Sequence, residues 1–369
     1  MIIFTDTSYN NHNLCFPDSL QVSGHVEWQS PANIALIKYW GKHGRQLPMN
    51  PSFSFSLKNS LSQTGIEYKL SEDGFKYKFL FNGKRKPAFE PKLNSFFENI
   101  LPIFPFLNQL ELKIESLNTF PHSSGLASSA SGISALALCL CSIEKKEFNK
   151  LKHPEDFYRK ASFVARLGSG SAARSVYGGF VNWGKIDREL GSSDFFANKY
   201  PLQIDNIFSD LQDTIILIGS GEKKISSSKG HGLMENHDYA DARYIQAKIN
   251  YKEMVRALRT GNLIKFIEIV ENEALSLHAL MMSSRPGYFL IKPQTLEFIE
   301  KIRIFRKETN IPVCFTLDAG PNLHVLYPAK NKKEVIMFIS SELLDKNNDV
   351  SAIYDKIGTG PEQIKNSKP

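Results

Sequence analysis

Apolar and polar residues alternate along much of the first third of the chain. Residues 22–28, 33–39 and 52–57 read as strands. Residues 110–116, LELKIES, alternate cleanly enough to predict a strand with one face buried. Residues 64–70 and 75–81 flank Asp73-Gly74, a strong turn pair, and predict a β-hairpin. A short helix is expected over 91–100. The period then lengthens: Ile133, Leu136, Ala137 and Leu140 recur at helical spacing, and a second helix falls near 155–166. Residues 178–183 return to a strand, and the polar stretch 192–201 predicts a linker or a long surface loop. Beyond it, 214–218 is a compact buried strand, followed by helices over 239–259, 263–282 and 294–307. Strands at 313–317 and 323–327 enclose a turn at 318–322, and a helix at 334–344 comes last. No repeat or low-complexity segment interrupts this order. Without regular βαβ alternation the mixture predicts an α+β fold, with helices packed on largely antiparallel sheets.

Composition narrows the class. The 369 residues suffice for two domains or one large one, and the apolar and charged fractions are ordinary for a globular protein. No apolar run reaches the length of a membrane span, and the first residues lack the basic and apolar regions of a secretory signal. The four cysteines, Cys15, Cys139, Cys141 and Cys314, fit no zinc spacing and read as reduced thiols in a cytoplasmic protein. The net charge of +7 suits an anionic ligand, but the basic residues are scattered. No basic stripe with interleaved aromatics suggests nucleic-acid binding.

Candidate chemistry concentrates in a few small-residue segments. PHSSGLASSASGIS, residues 121–134, runs straight into a helix whose N-terminal N–H groups favour an anion. It reads as a phosphate cradle or as a helix cap, and matches neither the P-loop nor the dinucleotide fingerprint. GSGSAAR, residues 168–174, sets two hydroxyls before a guanidinium able to fork a carboxylate or phosphate. NIALIKYWGK, residues 33–42, is an apolar strand ending in lysines and aromatics; Lys38 alone would read as a surface residue leaving the sheet. LDAGPN, residues 317–322, puts Asp318 at a strand end, where it serves chemistry or caps the turn. KKISSSKGH, residues 223–231, is a phosphate clamp or a polar loop. His278 and His324 are expected to fill packing positions, since no metal-ligand spacing surrounds them.

Together these segments resemble the diphosphomevalonate decarboxylase family of the GHMP kinase superfamily. LPMNPSFSFSL at 47–57 and LSLHALMMSSRPGY at 275–288 fit it as well, and the motifs keep the family order from about residue 30 to about 330. The resemblance implies two α+β lobes: residues 1–200 like ribosomal protein S5 domain 2, and residues 201–369 ferredoxin-like, with the site between them. It implies ATP-dependent conversion of mevalonate 5-diphosphate to isopentenyl diphosphate, phosphate and carbon dioxide through phosphorylation of the 3-hydroxyl. ATP and Mg²⁺ would be required. Pro121, Ser123, Ser124, Gly125, Leu126, Ala127, Ser128 and Ser129 would hold ATP, with Ser129 near the metal. Lys38, Asp318, Arg174 and Asn33 would be catalytic. Tyr39, Lys42, Ser169, Gly170, Ser171, Arg174, Ser227 and Ser228 would bind substrate. A cytoplasmic homodimer acting on a small molecule, with no nucleic-acid or membrane partner, is the implied setting. Relatives that use the 5-monophosphate, relatives that only phosphorylate, and a silent phosphometabolite-binding protein are the alternatives. The chain departs from common family forms at residues 121–124, at Asn50-Pro51-Ser52, at Ala173, and at His231, where methionine is common.

Overall fold

The computed structural model describes residues 4–17, 21–121, 128–186, 191–219, 227–345, 347 and 349–364, the side chains of 227 and 228 excepted. Two pairs of expected strands prove continuous. β1 (Ser23–Ile37) joins 22–28 to 33–37 and is buried without interruption from Ser30 to Ile37. β2 (Lys42–His43) and β3 (Leu47–Pro48) form a small ribbon, and β4 (Ser52–Leu70) joins 52–57 to 64–70. β1 and β4 pair antiparallel along most of their length, with register shifts after Pro31 and after Ala35.

The expected hairpin at Asp73-Gly74 is not formed. Gly74 does take the left-handed conformation of a turn, at φ 82°. The next strand, β5 (Lys76–Phe81), nevertheless does not pair with β4. After α1 (Glu90–Ile100), β6 (Leu110–Asn118) enters between them, antiparallel to β4 and parallel to β5. β6 alternates buried and exposed residues as its sequence predicts, so it pairs on both edges while burying one face.

Three helices follow: α2 (Ser128–Phe148), α3 (Pro154–Gly168) and the short α4 (Ala172–Ser175). α2 is buried on nearly every side through its middle and lies against β1 and β4. β7 (Phe180–Trp183) pairs with the start of β4, and β8 (Ala197–Lys199) pairs with β7. The stretch 192–201 is therefore no linker; its backbone completes a sheet edge, and Phe196 and Ala197 are buried. The first sheet runs β13–β1–β4–β6–β5, with β7 and β8 beside β4, where β13 is Glu362–Gln363.

The second sheet holds β9 (Leu211–Ile218), β10 (Cys314–Thr316), β11 (Leu323–Pro328) and β12 (Val350–Lys356) in the order β10–β11–β9–β12, all antiparallel. Between β9 and β10 come α5 (Ser227–Gly232), α6 (Ala240–Thr260), α7 (Leu263–Ser283) and α8 (Pro293–Thr309). α9 (Lys332–Phe338) lies between β11 and β12 and continues as a π-helical turn over Ile339–Leu344. This is the ferredoxin-like strand order expected for the second lobe. α6 ends on Gly261 in the left-handed conformation, and the Asn262 side chain then caps α7 by accepting the Lys265 N–H at 3.0 Å.

The two sheets do not merely sit side by side. Ile34, Leu36, Phe53 and Phe55 of the first pack in one cluster with Ile215 and Leu326 of the second and with Tyr251, Met254, Phe266 and Val270 of α6 and α7. Asp355 of β12 adds a polar clasp. Its carboxylate accepts the N–H groups of Lys58, Asn59 and Ser60 at 3.0, 2.9 and 2.8 Å and the Ser60 hydroxyl at 2.6 Å.

Candidate active site

β1 ends at Ile37, opposite Phe53, and the chain leaves the sheet carrying Lys38. Leu317 and Asp318 follow β10 at the start of the turn that leads to β11. These two departures bring the Lys38 Nζ within 2.9 Å of the Asp318 Oδ1, 280 residues away in sequence. Lys38 is buried, whereas the Asp318 side chain keeps 30 % exposure. Burial by itself pushes the Asp318 carboxyl up. The positive charges of Lys38, His324 and Arg174 and the hydrogen bond from Lys38 more than reverse this, so the net direction is below the usual carboxylate value.

Arg174 rises from α4 into the same region and is 3 % exposed. Its Nε donates to Asn33 Oδ1 at 3.0 Å, and one terminal nitrogen donates to the Ser52 hydroxyl. Asn33 in turn donates to the Ser171 carbonyl at 3.1 Å and to the Ser175 hydroxyl at 2.8 Å. Asn33 thus orients the guanidinium, and the loop before α4 orients Asn33. Burial lowers the Arg174 guanidinium to about 10, with Asp318 and Tyr39 acting the other way.

Tyr39 stacks edge-on against Trp183 at 4.8 Å, and its buried hydroxyl has no hydrogen-bond partner among the described residues. A Cβ at Gly170 would stand 2.7 Å from that hydroxyl, so glycine is needed for the close approach. Lys42 donates to Gln46 across its own hairpin at 3.0 Å, and burial lowers its ammonium. His231 occupies the space between Tyr39 and Trp40, at 4.4 and 4.5 Å between ring centres. Its Nδ1 accepts the Gly41 N–H at 3.0 Å, and burial pushes the imidazole down to about 3, so the ring is neutral with its proton on Nε2.

A second feature lies beside the start of α2. A cavity of about 150 Å³ is lined by Phe79, Phe81, Phe89, Leu93, Ile133 and Leu136, with Lys92, Ser116, Asn118, Ser128 and Ser129 among its polar groups. Asn118 accepts from Ser62 at 2.7 Å, while its buried amide nitrogen has no partner among the described residues. An apolar cavity with the Asn118 amide as an orphan donor among the described residues, next to a helix N-terminus, suits a nucleotide base and its phosphates. Among the described residues no three His, Cys, Asp or Glu side chains gather as a metal cage. A divalent ion here would ride on the nucleotide phosphates, as Mg²⁺ commonly does, with the Ser129 hydroxyl to hold it.

Asn33, Lys38, Tyr39, Lys42, Ser169, Gly170, Ser171, Arg174 and Asp318 are therefore gathered around one region, and Ser128 and Ser129 border the adjoining cavity. Pro121 is exposed. Ser123, Ser124, Gly125, Leu126 and Ala127 lie outside the described residues, as do the side chains of Ser227 and Ser228. His278 and His324 are more than packing. His278 Nε2 donates to the Asp318 carbonyl at 3.1 Å, and His324 Nδ1 pairs with the buried Asp213 carboxylate at 2.8 Å. Burial lowers His278 to about 4, so it too is neutral.

Several contributors had no role assigned from the sequence: Ser52 and Asn50, which stand inside the 47–57 motif, Asn118 in the cavity, and the buried pair Arg243–Glu273. Glu273 had a readable signal. It falls on the face of α7 defined by Phe266, Ile269, Val270 and Leu277, a carboxylate set among large apolar side chains.

Comparison with known proteins places these features in context. Residues 30–196 match a family model described as the diphosphomevalonate decarboxylase-like N-terminal domain, and residues 214–368 match the mevalonate 5-diphosphate decarboxylase C-terminal domain. The diphosphomevalonate decarboxylase of Danio rerio is 30 % identical over 80 % of this chain and 74 % of its own. That of Candida albicans is 28 % identical over 84 % and 86 %. Among solved structures, the mevalonate diphosphate decarboxylase of Staphylococcus aureus superposes with a TM-score of 0.79 at 29 % identity, covering 93 % of this chain and 99 % of that one. A structure of MDDEF in complex with MVAPP, AMPPCP and magnesium gives 0.80 at 29 % identity, covering 94 % and 100 %.

Proposed function

The chain belongs to the diphosphomevalonate decarboxylase family, and from that membership we propose how its own residues carry out the ATP-dependent decarboxylation of mevalonate 5-diphosphate. The observation that carries the assignment of roles is the 2.9 Å pair of Lys38 and Asp318, set beside the buried guanidinium of Arg174. The reaction transfers the γ-phosphoryl group of ATP to the tertiary 3-hydroxyl. Phosphate then leaves that carbon as the bond to the carboxylate breaks, and the freed electron pair becomes the double bond of isopentenyl diphosphate.

Each group has a task suited to its surroundings. Asp318 accepts the hydrogen bond of the 3-hydroxyl and aims its oxygen. With a lowered pKa it is a weak base, and it takes the proton late, as phosphoryl transfer makes the hydroxyl acidic. Lys38 offsets the charge of the phosphoryl group in flight and keeps Asp318 ionised beforehand. Arg174, held by Asn33 and Ser52, keeps the substrate carboxylate in one orientation, so that the bond to be broken stays aligned with the leaving phosphate. Tyr39, Lys42, Ser169, Gly170, Ser171, Ser227 and Ser228 hold the diphosphate, and the Tyr39 hydroxyl, without a partner among the described residues, is available to it. The apolar cavity takes the nucleotide base. The segment 121–129 takes the phosphates, and Ser129 holds Mg²⁺, which supplies charge neutralisation on them.

We further place the division between lobes near residue 200, giving 1–200 and 201–369, although β13 returns to the first sheet. Ile245 and Ile249, exposed one turn apart on α6, favour a homodimer. The free thiols of Cys139, Cys141 and Cys314 suit the reducing cytoplasm. The decisive test is release of labelled carbon dioxide from carboxyl-labelled mevalonate 5-diphosphate with Mg·ATP, with the 5-monophosphate in parallel. Release from the diphosphate that disappears in Asp318→Ala is the expected result. Release from the monophosphate alone, ADP without carbon dioxide, or no turnover would each replace this assignment with one of the alternatives.

A further inference from the structure

The side chains of Lys38 and Asp318 meet, but neither backbone is held by a strand. The β1 ladder stops one residue before Lys38, and Asp318 lies beyond the end of β10. One helix reaches both backbones, beside the turn in which the Asp318 carbonyl accepts the Gly320 N–H at 2.7 Å. Glu273 of α7, itself wholly buried, accepts the Lys38 N–H at 2.8 Å. Five residues further along α7, His278 donates to the Asp318 carbonyl at 3.1 Å.

The Glu273 end is braced. Arg243 of α6 donates to both carboxylate oxygens, at 2.8 and 2.5 Å, and to the Lys38 carbonyl at 3.3 Å. Asn50 donates to that same carbonyl at 3.0 Å, and Asn250 donates to Glu273 at 2.7 Å. A buried ion pair is costly unless its geometry is fixed and its remaining polar atoms are satisfied. Here the Arg243 Nε is left without a partner among the described residues, and the pair serves one backbone position, that of Lys38. Five residues of α-helix separate the two contacts by about 7.5 Å along a rigid axis.

We propose that α7 is a gauge for the reacting charges, in which Glu273 and His278 are positioning residues that fix the backbones of Lys38 and Asp318 and so set the distance between them. This rests on the roles proposed above for those two residues. Misplacing a reacting group by about 1 Å can cost about a hundredfold in rate, so a helix that sets the separation bears directly on turnover.

The test separates positioning from packing. Glu273→Asp keeps the charge and the pairing with Arg243 but withdraws the acceptor by one methylene. It should lower kcat by about ten- to a hundredfold while the KM for mevalonate 5-diphosphate changes less than about twofold. In a Lys38→Ala background the same substitution should cost almost nothing, measured as single-turnover ADP formation. His278→Ala should lower kcat similarly, and His278→Gln, whose amide nitrogen can reach the site of Nε2, should restore most of it. Full kcat in Glu273→Asp, an equal loss with and without Lys38, or no rescue by glutamine would overturn the gauge. If Lys38→Ala turns over at the wild-type rate, the catalytic role of Lys38 falls first, and the gauge with it. Should Glu273→Asp fail to fold, Glu273→Gln/Arg243→Gln removes both charges and is judged by the same two criteria.

Discussion

Asp318 owes its ionisation to neighbours rather than to water. With its folded pKa below the ordinary 3.8, the ion pair contributes stability that is full above the unfolded value and is lost as pH falls through the folded one. The melting temperatures of the wild type and Asp318→Asn should therefore differ by a constant amount above about pH 5 and converge only below about pH 4. Convergence between pH 5 and 7 would mean that burial, not Lys38, dominates this carboxyl. Arg174 permits a sharper substitution. Its Nε and one terminal nitrogen are already engaged by Asn33 and Ser52, so lysine cannot satisfy both and still face a carboxylate. Arg174→Lys should cost about 2–3 kcal/mol in kcat/KM, about 30- to 150-fold, as steady-state kinetics would read it. Lys38, Arg174, Asn33 and Asp318 were singled out by the family resemblance of the motifs they stand in, whereas Lys38 by itself read as a surface lysine and Asp318 as a turn cap. The Glu273 contact to Lys38 was not, because its partner is 235 residues away and nothing local announces it.

Elements were legible where their pattern is local and less so where partners are distant. The alternation of LELKIES gave β6 correctly, and the helical spacing after residue 133 gave α2. Asp73-Gly74 did supply a turn, but a turn signal cannot say whether a later strand will enter between the two it joins, as β6 does. β8 and β12 were missed for related reasons. β8 is a three-residue edge, and β12 has a half-exposed, weakly alternating face. β12 nonetheless carries Asp355, whose carboxylate satisfies three consecutive backbone N–H groups of β4. Asp355→Ala leaves those donors without an acceptor. It should destabilise the protein by about 2–4 kcal/mol in a denaturant titration, more than the same change at an exposed aspartate. A loss below about 0.5 kcal/mol would mean that water replaces the carboxylate there.

At the scale of the whole molecule, the site lies where two sheets meet, and their meeting is a packed core rather than a hinge. Phe53 and Phe55 of the first sheet share one cluster with Ile215, Leu326 and the inner faces of α6 and α7. Lys38 and Asp318 come from opposite sides of that cluster, so their spacing depends on its staying packed. Unfolding either half would expose the apolar face of the other, at about 1.5–3 kcal/mol for each large side chain uncovered. The two halves should therefore melt together although the chain is long enough for two domains. Calorimetry should give one transition, coincident with those followed by tryptophan fluorescence and by circular dichroism. Phe53→Ala, which opens a cavity at the centre of the shared cluster, should lower that single transition by about 3–5 kcal/mol rather than split it. Two resolved transitions in the wild type would mean that the sheets are independent units and that the Lys38–Asp318 distance is set by ligand closure instead.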